Sequence, residues 1–263
     1  MVLLGIFVVG LTAQFVKPLG DALQGKAALG GALLSLVGYV LYDAVQELSN
    51  APEVMPEQTL VGSHSLREHV RRAFAAREVT VSFFGYTGET LFSELHHQLE
   101  LLMEDPGRTR KVTIRMMVPD FSLPMSVPGR VGATGVSVDD PEFRRRVDGR
   151  CEDYDQQFSD LSRQLDALGR VAARCEYRQY QGLPREKICI FNEELVLHGR
   201  YDISARYAHQ GQDMYDPKGY NTDLFVWSKK VPAQVAVVDR WVRDLDGEWR
   251  LAARPAWSHI PAV

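Results

Sequence analysis

The chain is poor in cysteine. Cys151, Cys175 and Cys189 are all it has, and they form no CxxC or other ligand spacing. An odd, sparse set excludes a disulfide framework and a cysteine-held zinc site, and reads as reduced thiols. An excess of positive charge is also missing. A formal net charge of −4 argues against a protein that binds nucleic acid with its whole surface. There is no Gly-rich phosphate loop and no Ser-His-Asp arrangement, so neither of those chemistries has a motif to rest on. Internal repeats and low-complexity tracts are absent. No basic region precedes the first apolar stretch, which argues against a cleaved signal peptide.

What is present is an uneven distribution of apolar residues. At 263 residues and 45% hydrophobic content, the chain suits one domain plus an appendage, yet the first forty-odd positions hold a disproportionate share. Residues 2–16 and 27–42 carry no charge. Each stretch, roughly 16 residues, would form a helix of about 24 Å at about 1.5 Å per residue. That is short of a bilayer core of about 30 Å, so flanking residues or local thinning must supply the rest. The tandem pair predicts a transmembrane helical hairpin over residues 1–45; a soluble helical hairpin packed on the domain is the alternative. Ala28, Gly31, Ser35 and Gly38 share a face of the second helix, where small residues would let hairpins self-associate. Lys17 and Lys26 in the connecting loop favour a cytoplasmic loop, whereas the reduced cysteines favour a cytoplasmic domain. The second orientation is adopted, because two lysines are a thin signal.

Residues 46–61, with Pro52 and Pro56, read as an extended linker, and residues 62–263 as a soluble domain. Ser65 is placed to cap a helix through Leu66, Val70, Ala73 and Phe74, with Glu68 completing a capping box. Residues 79–84 and 112–118 read as strands. Between them, residues 89–103 form an amphipathic helix with Phe92, Leu95, Leu99 and Leu102 on its apolar face. Residues 119–138, rich in Pro and Gly, read as a long loop. Residues 141–168 form a long polar helix with Gly149 as the place where it would break. A strand over 175–180 precedes a hairpin of 187–191 with 195–201 around Asn192-Glu193-Glu194. A strand over 224–228 and a helix over 235–245 complete the order, which indicates a mixed α/β fold with helices over the sheet.

The most informative stretch is Arg185-Glu186-Lys187, then four residues, Asn192, six residues, and Gly199-Arg200. Its spacing resembles the signature of the phospholipase D-like family: His-x-Lys, four residues, Asp, six residues, Gly-Ser. Arg185 stands at the His position, Lys187 at the Lys, Asn192 at the Asp, and Gly199 with Arg200 at the Gly-Ser. The resemblance spans roughly residues 62–245 and implies a phospholipase D-like mixed sheet with flanking helices. In that family the His attacks a phosphodiester, a second His from another motif copy protonates the leaving group, Lys holds phosphate oxygens and Asp orients the His. Arginine stays protonated at neutral pH and cannot attack phosphorus. The resemblance therefore implies retained anion binding without the family's catalysis. Arg185, Lys187, Asn192, His198 and Arg200 are the candidate ligand-binding residues, with salt bridges to Glu186, Glu193 or Glu194 as their alternative role. One motif copy per chain implies that a complete site needs a homodimer or higher homo-oligomer.

Weaker candidates are more simply structural. His198 would be a substitute nucleophile, but a hairpin histidine is more often structural. His96-His97 near Glu94 lack a second cluster with metal-ligand spacing. Arg144-Arg145-Arg146 would meet anionic lipid or nucleic acid, yet reads better as a solvated helix face beside Glu142 and Asp148. The loop over residues 213–223, with Tyr215, Asp216, Asn221 and Asp223, borders a pocket in this reading but lacks calcium-loop spacing. No cofactor, metal or nucleic acid is expected. The expectation is a membrane-anchored, non-catalytic sensor or signalling module that binds a phosphate-bearing ligand or a protein partner. Its competitors are a phosphodiesterase with an atypical site, acting on lipid or nucleic acid, and a dimerising membrane scaffold.

Overall fold

The computed structural model describes residues 36–43, 59–209 and 211–258. The chain divides into two compact units, residues 1–57 and 58–263. In the first unit the described residues, 36–43, are helical. Eight residues rise only about 12 Å. Among the described residues no helix is long and apolar enough to cross a membrane. That finding corrects the expected fold class as far as the described residues go: their architecture is mixed α/β, and no transmembrane hairpin is found among them. The rest of both apolar segments, and most of the stretch read as a linker, lie outside the described residues.

The second unit opens with β1 (Thr59–Gly62), three of whose residues fall in that linker stretch. A short 3-10 turn leads to α1 (Leu66–Ala73), which buries Leu66, Val70 and Ala73. Ser65 does not cap it. Its hydroxyl donates to Gly62 O at 2.7 Å, and Glu68 pairs with Arg71 and Arg72 instead of closing a capping box.

Alternation then writes the central strands. In β2 (Glu78–Phe84), Val79, Val81 and Phe83 are buried while Thr80, Ser82 and Phe84 are partly exposed. β3 (Lys111–Pro119) repeats the pattern with Val112, Ile114 and Met116. The two pair in parallel, and β3 pairs in parallel with β6 (Ala172–Tyr180). Parallel neighbours need crossovers, which α2 (Glu89–Glu104) and α3 (Pro141–Leu168) provide. Asp140 caps α3 by accepting from the backbone N–H of Glu142 and Phe143, Pro141 occupies its first turn, and Gly169 ends it at φ +66°. Those strong ends carry the helix unbroken through Gly149.

β7 (Glu186–Phe191), β8 (Leu195–Arg200) and β11 (Asp223–Ser228) extend the sheet antiparallel, giving the order β1-β11-β8-β7-β2-β3-β6. One face, with Val81, Phe83, Ile114, Cys189 and Leu197, packs in the core that also buries residues of α1, α2 and α3. The other, with Met117, Ile188, Ile190 and Val196, packs on Val238, Leu245 and Trp249 of α4 (Val235–Leu251). Each such buried side chain contributes about 1.5–3 kcal/mol over its exposed state.

A second, four-stranded sheet orders β4 (Gly129–Val131), β5 (Ser137–Asp139), β9 (Arg206–His209) and β10 (Gln212–Tyr215) as β5-β4-β10-β9. β4, most of β5 and most of β10 fall in stretches that read as loops in the sequence, and β9 in one to which no element was assigned. Arg144 anchors it from α3: buried, it pairs with Asp139 at 2.7 Å and donates to Phe121 O.

Candidate functional site

The carboxyl end of β2 turns through Gly85-Tyr86-Thr87 into α2. Gly88 makes this turn at φ +72°. An added Cβ there would sit 2.4 Å from Met116 Cε, so both backbone conformation and space favour glycine. Above this turn lies a cleft of about 520 Å³, walled by the start of α2, by α3, and by β9 and the segment after β10. A crevice at the carboxyl ends of strands is where open α/β sheets commonly bind ligands.

Lys187 stands behind its wall. Strand alternation turns it to the α1–α3 face, where it is 1% exposed. Its ammonium donates to Ser63 Oγ at 3.0 Å, Thr90 Oγ1 at 2.9 Å and Gly219 O at 2.8 Å. Ser63 Oγ also lies 2.8 Å from Gly219 O and from Thr222 O. All three donors of the ammonium are thus satisfied, but by neutral oxygens. Burial pushes the Lys187 pKa down from its ordinary value, because no carboxylate offsets the cost of keeping the charge out of water. Thr90 and Gly219 line the cleft. Since Thr90 Oγ1 accepts from Lys187, its own hydroxyl proton is left to donate elsewhere.

The cleft itself is cationic on balance. Arg146, Arg150 and Lys218 line it against the carboxylates of Glu89 and Asp216. Arg150 lies 3.2 Å from Glu89. Lys218 Nζ sits 3.7 Å from the Tyr207 ring centroid. Burial pushes the Asp216 carboxyl up, while the neighbouring Tyr86 and Tyr207 hydroxyls, Lys218 and Arg150 pull it back. Asp216 Oδ1 and Tyr86 Oη are nonetheless buried without a completed hydrogen bond. His209 also lines the cleft. Arg146 lies 2.7 Å from its Nε2; since arginine only donates, Nε2 accepts and its lone pair is engaged.

Of the five sequence candidates, the structure brings only Lys187 to this cleft. Arg185 is exposed, precedes β7 and lies outside the cleft lining; its carbonyl accepts from Tyr201 N. Asn192 sits in the turn at the far end of β7 with φ +53°. There Oδ1 accepts from Thr80 N at 2.9 Å and Nδ2 donates to Ala73 O at 3.1 Å. His198 leaves the opposite face of the sheet, 3.7 Å from Glu186 and with its ring tilted against Trp241. Arg200 is exposed and lines a separate groove with Leu60 and Asp202. Gly199 has a packing reason: a Cβ would stand 2.2 Å from Asp223 O on β11.

The remaining candidates resolve in the same way. His96 and His97 approach Glu100, and no His/Cys/Asp/Glu group suited to a metal occurs among the described residues. Arg144, Arg145 and Arg146 do not act together, because successive helical residues diverge by about 100°: the first is buried, the second exposed, and the third lines the cleft. The sequence pointed to Asp216 through its loop but offered no spacing that would have joined it to Tyr86, Arg150 or Lys218. No protein-family model matches the chain, and no curated protein is found to match it. The likeness to the phospholipase D-like family therefore rests on the motif spacing alone, in which only Lys187 and Gly199 keep the family's residues.

Proposed function

We propose that residues 58–263 form a non-catalytic binding module that takes a phosphate-bearing anion in the cleft beside α2 and α3. The observation that carries this reading is the Lys187–Thr90 pair. A buried positive charge without a carboxylate partner bonds a hydroxyl that faces the cleft, and that hydroxyl would pass a hydrogen bond on to an oxyanion. Arg146, Arg150 and Lys218 add cationic groups on the open side, where planar guanidinium forks suit phosphate oxygens. The non-catalytic part rests on three placements: an arginine where the family's nucleophile would stand, His198 on the far face of the sheet, and the Nε2 lone pair of His209 engaged by Arg146. The three cysteines, buried and free, fit a reducing compartment such as the cytoplasm.

Calorimetric titration of the full chain with inorganic phosphate and pyrophosphate tests this. Binding is expected, with Arg150→Ala weakening it by about ten-fold, as for loss of a charged hydrogen bond, and Arg185→Ala leaving it unchanged. No binding of either anion, or equal losses in both variants, would discard the cleft as the site.

A further inference from the structure

We infer that the anion taken by this cleft is the phosphate of a nucleotide, and that Asp216 and Tyr86 read its base. The inference rests on the phosphate reading above and deepens it. An anion site alone has no use for a carboxylate, yet Asp216 lies among the cationic residues of the cleft. Its Oδ1 is buried beside the Tyr86 and Tyr207 hydroxyls, yet neither it nor Tyr86 Oη, on a side chain only 6% exposed, completes a hydrogen bond of good geometry. A buried polar atom left without a partner is costly. A ligand that brings both a donor and an acceptor would remove both deficits. Inorganic phosphate at neutral pH brings mainly acceptors. A nucleobase edge brings an N–H donor beside an acceptor, which suits a carboxylate oxygen next to a phenol that can donate.

The apolar part of the lining points the same way. Tyr220 is 61% exposed and lines the cleft together with Tyr207 and Phe143. An exposed aromatic ring at a cleft mouth is a platform on which a base can stack, and such stacking contributes about 1–3 kcal/mol per base. A cleft of about 520 Å³ lies within the range of about 300–1,000 Å³ usual for small-molecule sites.

The test is calorimetry on the full chain with AMP, GMP, CMP, UMP, ribose 5-phosphate and inorganic phosphate. At least one nucleotide is expected to bind about ten-fold more tightly than ribose 5-phosphate, the size expected when unpaired buried groups gain partners. Asp216→Asn should abolish that preference while ribose 5-phosphate binds no more weakly than to the parent, because the change removes a negative charge from the cleft and none of the groups that hold the phosphate. Tyr86→Phe, which deletes a single buried oxygen, should reduce the preference independently if the first variant misfolds. Ribose 5-phosphate binding as tightly as every nucleotide, or a preference that survives both substitutions, overturns the inference and leaves the phosphate reading standing. Absence of binding by all six compounds overturns both.

Discussion

Replacing Lys187 by methionine separates the charge of this residue from its shape. The ammonium lies 2.9 Å from Thr90 Oγ1. A ligand oxygen that accepts from the Thr90 hydroxyl sits about 2.7 Å further on, hence within about 5.6 Å of the charge. At an effective dielectric of about 20 this pair is worth roughly 3 kcal/mol per unit of negative charge. Solvent in the open cleft screens part of it, so Lys187→Met should weaken phosphate binding between about ten- and a hundred-fold. Stability should respond differently. Three hydrogen bonds from a charged donor, each about 1.5–3 kcal/mol, are lost. Against them stands a release of several kcal/mol, because an unpaired ammonium no longer has to be kept from water. Methionine also keeps the apolar stem in place, so the two changes nearly cancel and urea midpoints should shift little. The pH dependence supplies a signed check. Burial lowers the folded-state pKa of Lys187 below its ordinary 10.5, so the unfolded chain holds the extra proton between those two values. Over that window the unliganded protein should gain stability relative to the methionine variant as pH rises, and below it the difference should be flat. Bound phosphate favours the charged form, so affinity should fall on the alkaline side. A folded Lys187→Met protein that binds phosphate within about two-fold of the parent would refute the electrostatic reasoning.

Two further substitutions test the hairpin. Asn192→Ala removes the bonds to Thr80 N and Ala73 O and places a β-carbon residue without a local polar side chain at φ +53°; a loss of about 2–4 kcal/mol is expected in urea denaturation, with phosphate affinity unchanged. Gly199→Ala would force a Cβ to within 2.2 Å of Asp223 O, and since backbone must move to relieve it, a loss of about 3 kcal/mol or more is expected in the same assay.

The central sheet was legible because its signals are local and repeated. Val79, Val81 and Phe83 alternate with polar neighbours in β2, and Asn192-Glu193 adopt positive φ at the turn where the hairpin was placed. The second sheet was not legible. Its strands are three or four residues long, and β5 and β9 bury none of theirs, so no period-two pattern forms. The sheet is closed by the long-range pairing of Arg130 with Met214 and Gly129 with Tyr215, which local propensity does not record. Helix α4 ran on to Leu251 past the expected end at 245 because Leu245 and Trp249 keep a buried face across the half-buried Gly247. The membrane expectation rested on two uncharged runs already short for a bilayer core, and no helix among the described residues supplies the missing length.

The site was legible only at Lys187, and strand geometry explains why. A hairpin delivers to one point only those side chains that share a face and a level. Lys187 lies on the cleft side of the sheet, behind the cleft wall; His198 and Arg200 have the opposite parity and leave the other face; Arg185 precedes the first paired residue of β7; Asn192 closes the turn at the other end. Five residues that are close in the motif are therefore dispersed in space. The cationic groups that surround the cleft come instead from Arg146 and Arg150, one helical turn apart on α3, and from Lys218 after β10. The hairpin's contribution is a single buried charge, and the groups that would select a ligand in the proposed site come from outside the hairpin.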